Sequence, residues 1–242
     1  MSASPRLSAQ TVSAQALSSK QRNTMYALYD CYYENTSAQA FERDLEHKTH
    51  VLLLNDEQGR LQGFTSLAVA EMEVQGKQLR YIYSGDTVIH HQYWGEQSLP
   101  LAWCELAGSI KSQAPDVPLY WFLIVKGHRT YRYLKIFSRQ YFPAPNVTTP
   151  PEMQRIIDAL AGKHFGEYYN AATGIIHFPT SRGNLRQQWM AVDEGRKEKP
   201  EIAFFLQRNP GHGQGDELVC LTELHSDNLR RFALKGFCRG LA

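Results

Sequence analysis

The segment from Thr87 to Gly108 is the part of the sequence best suited to bind a ligand. A β-type run breaks at Gly95 and is followed at once by an amphipathic helix. A helix N-terminus presents unpaired backbone N–H groups and the positive end of the helix dipole. The junction therefore predicts a binding site for a phosphate or another anion.

The stretch from Lys126 to Phe142 is the second feature with chemical potential, because it is basic, rich in aromatic residues and free of acidic ones. Arg129, Arg132 and Arg139 recur at near-helical spacing, so they can line one face of a helix. Such a stripe could attract an anionic ligand or an acidic protein surface. The alternative is a solvated face whose arginine stems cover apolar surface. Stacking on nucleic acid is least favoured, because no recognised motif is present.

A carboxylate and a hydroxyl precede the junction. Asp86 and Ser84 fall inside a predicted strand, where Asp is disfavoured, and general-base chemistry is one reason for such a placement. A polar residue at a β-bulge beside Gly85 is the structural alternative. Glu71 and Glu73 on the preceding strand are rival carboxylates.

The sequence predicts no metal cofactor. His90 and His91 are adjacent, so on a strand they would point to opposite sides and could not share an ion. The glycine-rich segment 211–216 lacks the following Lys-Ser or Lys-Thr of a phosphate-binding loop. Cys104 falls in or beside an apolar helix stripe, which is typical of an inert buried thiol.

Composition excludes several classes of protein. The 242 residues are 43% hydrophobic and carry a formal charge of +2, which by itself implies neither nucleic acid nor an acidic membrane as partner. The four cysteines are far apart, without a C-x-x-C pair, and no run of eighteen apolar residues occurs. We therefore expect a cytoplasmic protein with reduced thiols and no membrane contact.

Hydrophobic periodicity predicts the elements that must position these residues. Ser18 with Gln21 forms a capping box for a first helix, and Ser37 caps a second. Short turns make the next three strands antiparallel, and the strand after the junction helix is expected to run parallel to the strand before it. The predicted strands are 50–56, 61–74, 79–89 and 119–125, and a basic helix-compatible stretch follows at 130–142.

The last hundred residues are harder to interpret. Pro150 and Pro151 lead a predicted helix, residues 174–178 look like a strand, and Ser226 can cap a final helix. Two further strands, 202–207 and 217–224, are predicted to form a hairpin. We expect a flexible tail over residues 1–16, a core domain over 17–142, and an extension over 143–242 that completes the sheet and a substrate pocket.

This order of elements resembles the Gcn5-related N-acetyltransferase (GNAT) family. Residues 89–95, IHHQYWG, follow the course of that family's V-x-P-E-Y-R-G-x-G-I-G segment, and the resemblance covers roughly residues 15–142. It implies an α/β (α+β) fold with a mixed, mainly antiparallel central sheet flanked by helices. The chain departs from the pattern at Trp94, Glu96, Gln97 and Leu99.

The resemblance also implies a donor site. In the family, the loop binds the pyrophosphate of an acyl-coenzyme A and the preceding strand pairs with the pantetheine arm. Arg129 and Arg132 would then attract the 3′-phosphate of coenzyme A or the acidic surface of an acyl carrier protein. By position, the resemblance implies that Val88 and Ile89 bind the pantetheine arm and that the phosphates are bound by Gly95, Gln97 and Ser98.

The activity implied is acyl transfer from an acyl-coenzyme A or an acyl-phosphopantetheine to a small amine or amino acid, by direct attack. Asp86 or Ser84 would act as the base. Phe137 stands where the family has its acidic tyrosine, so Tyr131 or Tyr133 would replace it. The alternative is a GNAT-like binding or regulatory module, without catalysis, for coenzyme A or a carrier protein.

Overall fold

The computed structural model describes residues 6–180, 182–190 and 194–242. The strands are β1 (Ser8–Ser13), β2 (Tyr33–Glu34), β3 (His50–Asn55), β4 (Leu61–Val74), β5 (Lys77–Ile89), β6 (Leu119–Val125), β7 (Tyr169–Asn170), β8 (Ile175–Ile176), β9 (Asn184–Leu185) and β10 (Glu217–Glu223). The helices are α1 (Ser19–Asp30), α2 (Ala38–Glu46), α3 (Ser98–Ser112), α4 (His128–Phe137), α5 (Pro151–Phe165), α6 (Gln187–Met190), α7 (Glu194–Lys197), α8 (Pro200–Arg208) and α9 (Arg231–Leu241).

Eight of these strands form one sheet in the order β1-β3-β4-β5-β6-β10-β8-β7, and β2 pairs with β9 in a separate ribbon. All neighbours in the sheet are antiparallel except β5 and β6, which are parallel. This confirms the predicted fold class, a mixed and mainly antiparallel sheet flanked by helices.

The parallel pair β5–β6 separates along its length. Its pairing runs from Arg80↔Leu119 to Ser84↔Leu123. Beyond Ser84, β5 continues to Ile89 beside β4, whereas the end of β6 pairs with β10. Past Ser84 the two strands no longer pair with each other, and we call the gap between them the strand cleft.

A β-bulge sits where this divergence begins. Thr65 pairs with Thr87 and Leu67 pairs with Ser84, so Ser66 opposes two residues, Gly85 and Asp86. A side chain at Gly85 would collide with the Lys48 side chain and with Ser66 Oγ. The bulge therefore requires glycine beside Asp86, which agrees with the structural alternative considered for that carboxylate.

Helices cover both faces of the sheet. One face packs against α3, α4, α8 and α9 in a core that includes Trp103, Trp121 and Phe237. On the other face, α5 covers the end near Tyr81, and α1 and α2 cover the end near Phe64. The diverging strands open toward the end covered by α1 and α2, because Val88 belongs to that cluster.

The N-terminal prediction is wrong in part. Residues 8–13, which we placed in a flexible tail, form β1 and pair with β3 along their whole length. Most of their side chains are exposed because β1 is an edge strand, so no hydrophobic alternation marks it. Leu7 and Ala14 are buried on either side and fix the strand in place. Residues 1–5 of the predicted tail lie outside the described residues.

The prediction of a C-terminal hairpin is also wrong. Residues 202–207 lie in α8, which begins with Pro200 at its first turn, and the apolar run buries Ile202 and Phe205 on one helical face. Residues 217–223 form β10 as predicted. The last helix begins at Arg231, with Arg230 rather than Ser226 at its N-cap.

Candidate functional site

Asp86 lies at the bulge in β5, where the strand cleft opens. Its charged neighbours come from four segments, namely α2, the residue after β6, the turn between α2 and β3, and β10. They are Asp44, Lys126, Lys48 and Glu217 respectively. Burial and the nearby Asp44 carboxylate raise its pKa from 3.8 to about 7, against the opposing effect of the two lysines. A carboxyl group with this pKa can accept and release a proton near neutral pH.

The other two acids of this group already have cationic partners. Asp44 Oδ1 accepts a hydrogen bond from Lys48 Nζ at 2.8 Å. Glu217 Oε1 lies 3.4 Å from Lys126 Nζ, and burial raises the pKa of Glu217. Among the residues that the structure describes, none donates a hydrogen bond to the Asp86 carboxylate. Asp86 is therefore the acid whose oxygens remain for a substrate.

Tyrosines form much of the wall beside Asp86. The rings of Tyr29 and Tyr33 stack with centroids 4.4 Å apart. Burial and the Asp86 charge raise the pKa of both hydroxyls, so they stay protonated and can donate hydrogen bonds. Tyr83 lies 5.0 Å below the Lys48 ammonium, and burial raises its pKa as well.

The predicted anion site at the start of α3 is filled by the protein itself. Glu96 Oε2 accepts a hydrogen bond from the Ser98 backbone N–H at 2.7 Å, and Glu96 Oε1 accepts one from Ser98 Oγ at 2.6 Å. The Gln97 side-chain amide donates to the Gly95 carbonyl. Gly95 has a φ of 98°, so the turn depends on glycine as expected. A carboxylate at this helix end already neutralises the charge that a phosphate would seek.

The rest of the junction is also internally bonded. The Ile89 carbonyl, predicted to face the pantetheine arm, accepts from Trp94 Nε1 at 2.8 Å. The Arg129 guanidinium lies 4.4 Å from the Trp94 ring centre and donates to the Trp189 carbonyl at 3.1 Å. The Trp189 ring stacks on His91 with centroids 5.3 Å apart. The segment that carries Trp189 follows β9, so the β2–β9 ribbon brings it over the loop.

The remaining predicted donor residues lie apart from this group. Val88 is buried in the cluster beneath α1 and α2. Arg132 is half-buried on α4 and lines a shallow groove that also contains Lys199 and Arg230. The structure therefore brings Ile89, Gly95, Gln97, Ser98 and Arg129 to one place, whereas the Val88 side chain points into the core and Arg132 lies one turn further along α4.

Two of the predicted catalytic side chains have structural partners. Ser84 Oγ accepts a hydrogen bond from Trp121 Nε1 at 2.8 Å on the face opposite α1 and α2. Tyr131 is fully buried and donates to the Pro143 carbonyl at 2.8 Å. Packing in the core, rather than a thioester, thus accounts for the Tyr131 hydroxyl. Tyr133 is half-buried and packs its ring edge-on against Phe137 at 5.7 Å.

Sequence reasoning missed most of the group around Asp86. In the sequence, three of these residues look like ordinary charged residues near the ends of strands, namely Lys48, Lys126 and Glu217. The two tyrosines, Tyr29 and Tyr33, look like core residues. Burial of Lys48 and Glu217 to 2% and 5% exposure reveals that they are inside the molecule. Within the sequence, only Asp86 indicated a functional site, because aspartate is disfavoured inside a strand.

The two adjacent histidines belong to no cluster of metal-ligating side chains within the described ranges. His90 and His91 stack with ring centroids 4.4 Å apart, because the strand ends at Ile89 and the alternation expected of them is lost. Within the described ranges, no three His, Cys, Asp or Glu side chains converge as a metal site would require. In the same ranges, no helix combines the length and apolarity needed to cross a bilayer.

Comparison with known proteins finds similarity only at the level of structure. No family profile matches the chain, and no curated protein matches it. A probable N-acyltransferase from Enterococcus faecalis is 14% identical over 55% of this chain, with a TM-score of 0.41, and the match spans 33% of that protein.

Two other solved structures cover more of their own length. A GNAT-family N-acetyltransferase from Escherichia coli, solved with CoA, is 16% identical over 57% of this chain and 72% of its own, with a TM-score of 0.38. Glucosamine-6-phosphate N-acetyltransferase from Arabidopsis thaliana is 12% identical over 53% of this chain and 88% of its own, with a TM-score of 0.38. The chain is thus similar, over 53–57% of its length, to acyl- and acetyltransferases that include members of the GNAT family.

Proposed function

We propose that the protein transfers an acyl group from a thioester to an amine, with Asp86 as the general base. The observation that supports this most is the half-buried Asp86 carboxyl at the mouth of the strand cleft, which receives no hydrogen bond from the described residues and has its pKa raised to about 7. An amine acceptor arrives as an ammonium ion, and such a base can remove its proton at neutral pH.

The strand cleft supplies a path for the donor. Past Ser84, β5 has a strand neighbour on one side only, so alternate backbone groups face the cleft. An extended arm with amide groups can pair with them as an added strand would. Backbone N–H groups on this edge polarise the thioester carbonyl and stabilise the oxyanion that develops there.

The acyl transfer takes place in three steps, and atoms and charge balance in each of them. The acceptor ammonium gives a proton to Asp86 and becomes a neutral amine. The amine nitrogen attacks the thioester carbon, a C–N bond forms, and the C–S bond breaks as the tetrahedral intermediate collapses. The nitrogen proton passes to the departing thiolate, and Asp86 returns its proton to solvent. No covalent enzyme intermediate is required.

We place the acceptor pocket beside Asp86, next to the Tyr29–Tyr33 pair and to Glu217 of β10. The nearby acids Asp44, Asp86 and Glu217 favour a cationic group, and the Tyr29–Tyr33 pair offers aromatic faces that attract an ammonium ion. Lys48 and Lys126 balance two of those acids. A primary amine therefore suits the pocket better than a hydroxyl acceptor.

The test is thiol release from a small thioester. Wild-type protein is incubated with octanoyl-N-acetylcysteamine and a panel of primary amines, and both free thiol and amide product are measured. Asp86→Asn should lose activity by about 10²–10⁴-fold, the usual contribution of a general base. The matched control is Glu71→Gln, since Glu71 lies on β4 with a side chain 72% exposed and bonded to Arg80.

Two results would reject the proposal. Product formation that is equal in wild type and Asp86→Asn would remove Asp86 from the chemistry. Thermal stabilisation of the wild type by a thioester, with no product from any amine in the panel, would instead favour the binding module as the function.

A further inference from the structure

At the start of α3, where a pyrophosphate is expected, a protein carboxylate already occupies the positive helix end. Glu96 accepts the hydrogen bonds of Ser98 at the start of α3. Arg129 is stacked on Trp94 and bonded to the Trp189 carbonyl. A coenzyme A pyrophosphate would have to displace an acid from a helix N-terminus and approach the same acid while doing so.

A cationic surface begins one helical turn away. Arg132 follows Arg129 by three residues on α4, which is about 4.5 Å along the helix axis. It lines an open groove between α4, α8 and the start of α9, which we call the basic groove. The residues of the basic groove are Arg132, Lys135, Ile136, Lys199, Glu201 and Arg230.

Charge in the basic groove is strongly one-sided. Glu201 is the single acid, and it is satisfied by Lys135. Arg230 uses its Nε to hold the Ser138 carbonyl, which keeps the rest of its guanidinium on the surface. Lys199 and Arg230 are exposed and Arg132 is half-buried. Among the described residues, Lys199 and Arg230 thus face solvent with no acid bonded to them, and Arg132 shares the charge of Glu201 with Lys135.

An exposed apolar residue lies among these cations. Ile136 has 43% of its surface exposed, which is unusual for a large apolar side chain in the described part of the molecule. Protein interfaces place apolar contacts inside a polar rim. A free phosphate or a nucleotide would gain nothing from Ile136, whereas a helix with acidic and apolar residues would use both features of the groove.

We infer that the basic groove binds an acidic carrier protein, which delivers the acyl thioester on its phosphopantetheine arm into the strand cleft. This rests on the proposed acyl transfer and specifies its donor. A carrier protein holds its arm through its own surface charges, so it needs no pyrophosphate site at the start of α3. The filled site and the basic groove then have a common explanation.

Binding and transfer are measured separately. A fluorescently labelled acidic carrier protein from fatty acid synthesis, loaded with an octanoyl group, is titrated with wild type, Arg132→Glu, Lys199→Glu and the double variant. Each reversal should weaken binding by about tenfold and the affinity should fall with added salt, as expected for charge-steered association. Circular dichroism and thermal unfolding show that each variant is folded.

The matched control is Lys20→Glu, which makes the same change in net charge on exposed α1. It should bind the carrier protein like the wild type. Transfer from octanoyl-carrier protein should exceed transfer from octanoyl-coenzyme A in kcat/KM by at least about tenfold. If the carrier protein binds and no donor gives product, docking stands and the proposed function fails.

Other outcomes overturn the inference. Absence of binding to wild type, or equal weakening by Lys20→Glu, would remove the basic groove as a docking surface. Equal kcat/KM with octanoyl-coenzyme A and with octanoyl-carrier protein would show that coenzyme A is a sufficient donor and that the carrier protein is not required. Tighter binding to DNA or to anionic vesicles than to the carrier protein, lost in Arg132→Glu, would assign the groove to those partners instead.

Discussion

At the scale of single residues, Asp86 combines two properties that work against each other. Its partial burial and the nearby Asp44 and Glu217 disfavour its charge, yet Lys126 and Lys48 are close enough to keep it ionisable. Because its pKa is raised to about 7, the base is half-protonated at neutral pH. A solvated aspartate would be a much weaker base for an ammonium ion.

This environment predicts the pH dependence of transfer. The rate at low substrate should rise with pH through an apparent pKa near 7, since only ionised Asp86 accepts the ammonium proton. The measurement is kcat/KM between pH 5 and pH 9 with a thioester of constant charge. Glu71→Gln should keep the same profile. A profile that is flat between pH 5 and pH 9 would contradict the assignment.

The same group predicts how stability changes with pH. The folded protein holds the Asp86 proton up to a pH near 7, whereas an unfolded aspartate releases it near 3.8. Well below pH 3.8 both states are protonated and the group has no effect, and between pH 3.8 and about pH 7 ionisation of the unfolded aspartate increasingly destabilises the fold. Asp86→Asn should therefore differ least from the wild type in Tm at about pH 3 and exceed it at pH 8. A Tm difference between Asp86→Asn and the wild type that does not vary with pH would argue against a raised pKa of Asp86.

At the scale of elements, the start of α3 depends on Glu96. Its carboxylate satisfies the first backbone N–H of the helix and holds Ser98 Oγ. Glu96→Ala should lower the free energy of unfolding by about 1 kcal/mol, the usual cost of losing a cap. Glu96→Gln keeps an acceptor oxygen and should lose less. Urea denaturation measures both, and an unchanged alanine variant would show that the cap is unimportant.

The packing of α3 on α9 depends on glycine. A Cβ at Gly108 would collide with the Phe237 backbone carbonyl, and one at Gly240 would collide with that of Glu105. Gly108→Ala should therefore destabilise the protein by at least about 2 kcal/mol. Gly162→Ala, at an exposed position of α5, meets no neighbour and should stabilise the protein by up to about 1 kcal/mol. Equal effects of the two changes in thermal unfolding would refute close helix contact.

Elements with strong local patterns could be predicted from the sequence. The Ser18–Gln21 capping box, the Ser37 cap and the parallel run of β6 all occur as expected. β1 was missed because an exposed edge strand has no hydrophobic alternation. α8 was mistaken for a strand because six consecutive residues, most of them apolar, fit either period, and only tertiary packing decides between them.

At the scale of the whole molecule, the candidate site could not be predicted in full. Asp86 was expected, but its neighbours Asp44, Lys48, Lys126 and Glu217 are brought to it by four different segments. Such convergence depends on strand order and register, which single-sequence patterns do not encode. The interpretation of the α3 start as an open anion site was incomplete for a similar reason, since the rotamer of Glu96 decides whether the site is vacant.

The C-terminal residues belong to the main core. β10 pairs with β6 and α9 packs on α3, so the last third of the chain stabilises its middle. A protein truncated after residue 225 lacks α9 and leaves Trp103 and Cys104 without part of their cover. We expect it to show no cooperative thermal transition and to bind a hydrophobic dye. A cooperative transition near the wild-type Tm would show instead that residues 1–225 fold alone.

The position of β10 within the sheet has a consequence for synthesis on the ribosome. While residues 1–216 emerge, β6 has β5 on one side and an open edge on the other, and Leu123 and Val125 belong to the core that forms there. An exposed apolar strand edge is prone to pair with other chains. The nascent protein therefore cannot close its sheet until residues 217–223 have left the ribosome, and until then the open edge of β6 must be shielded from other chains.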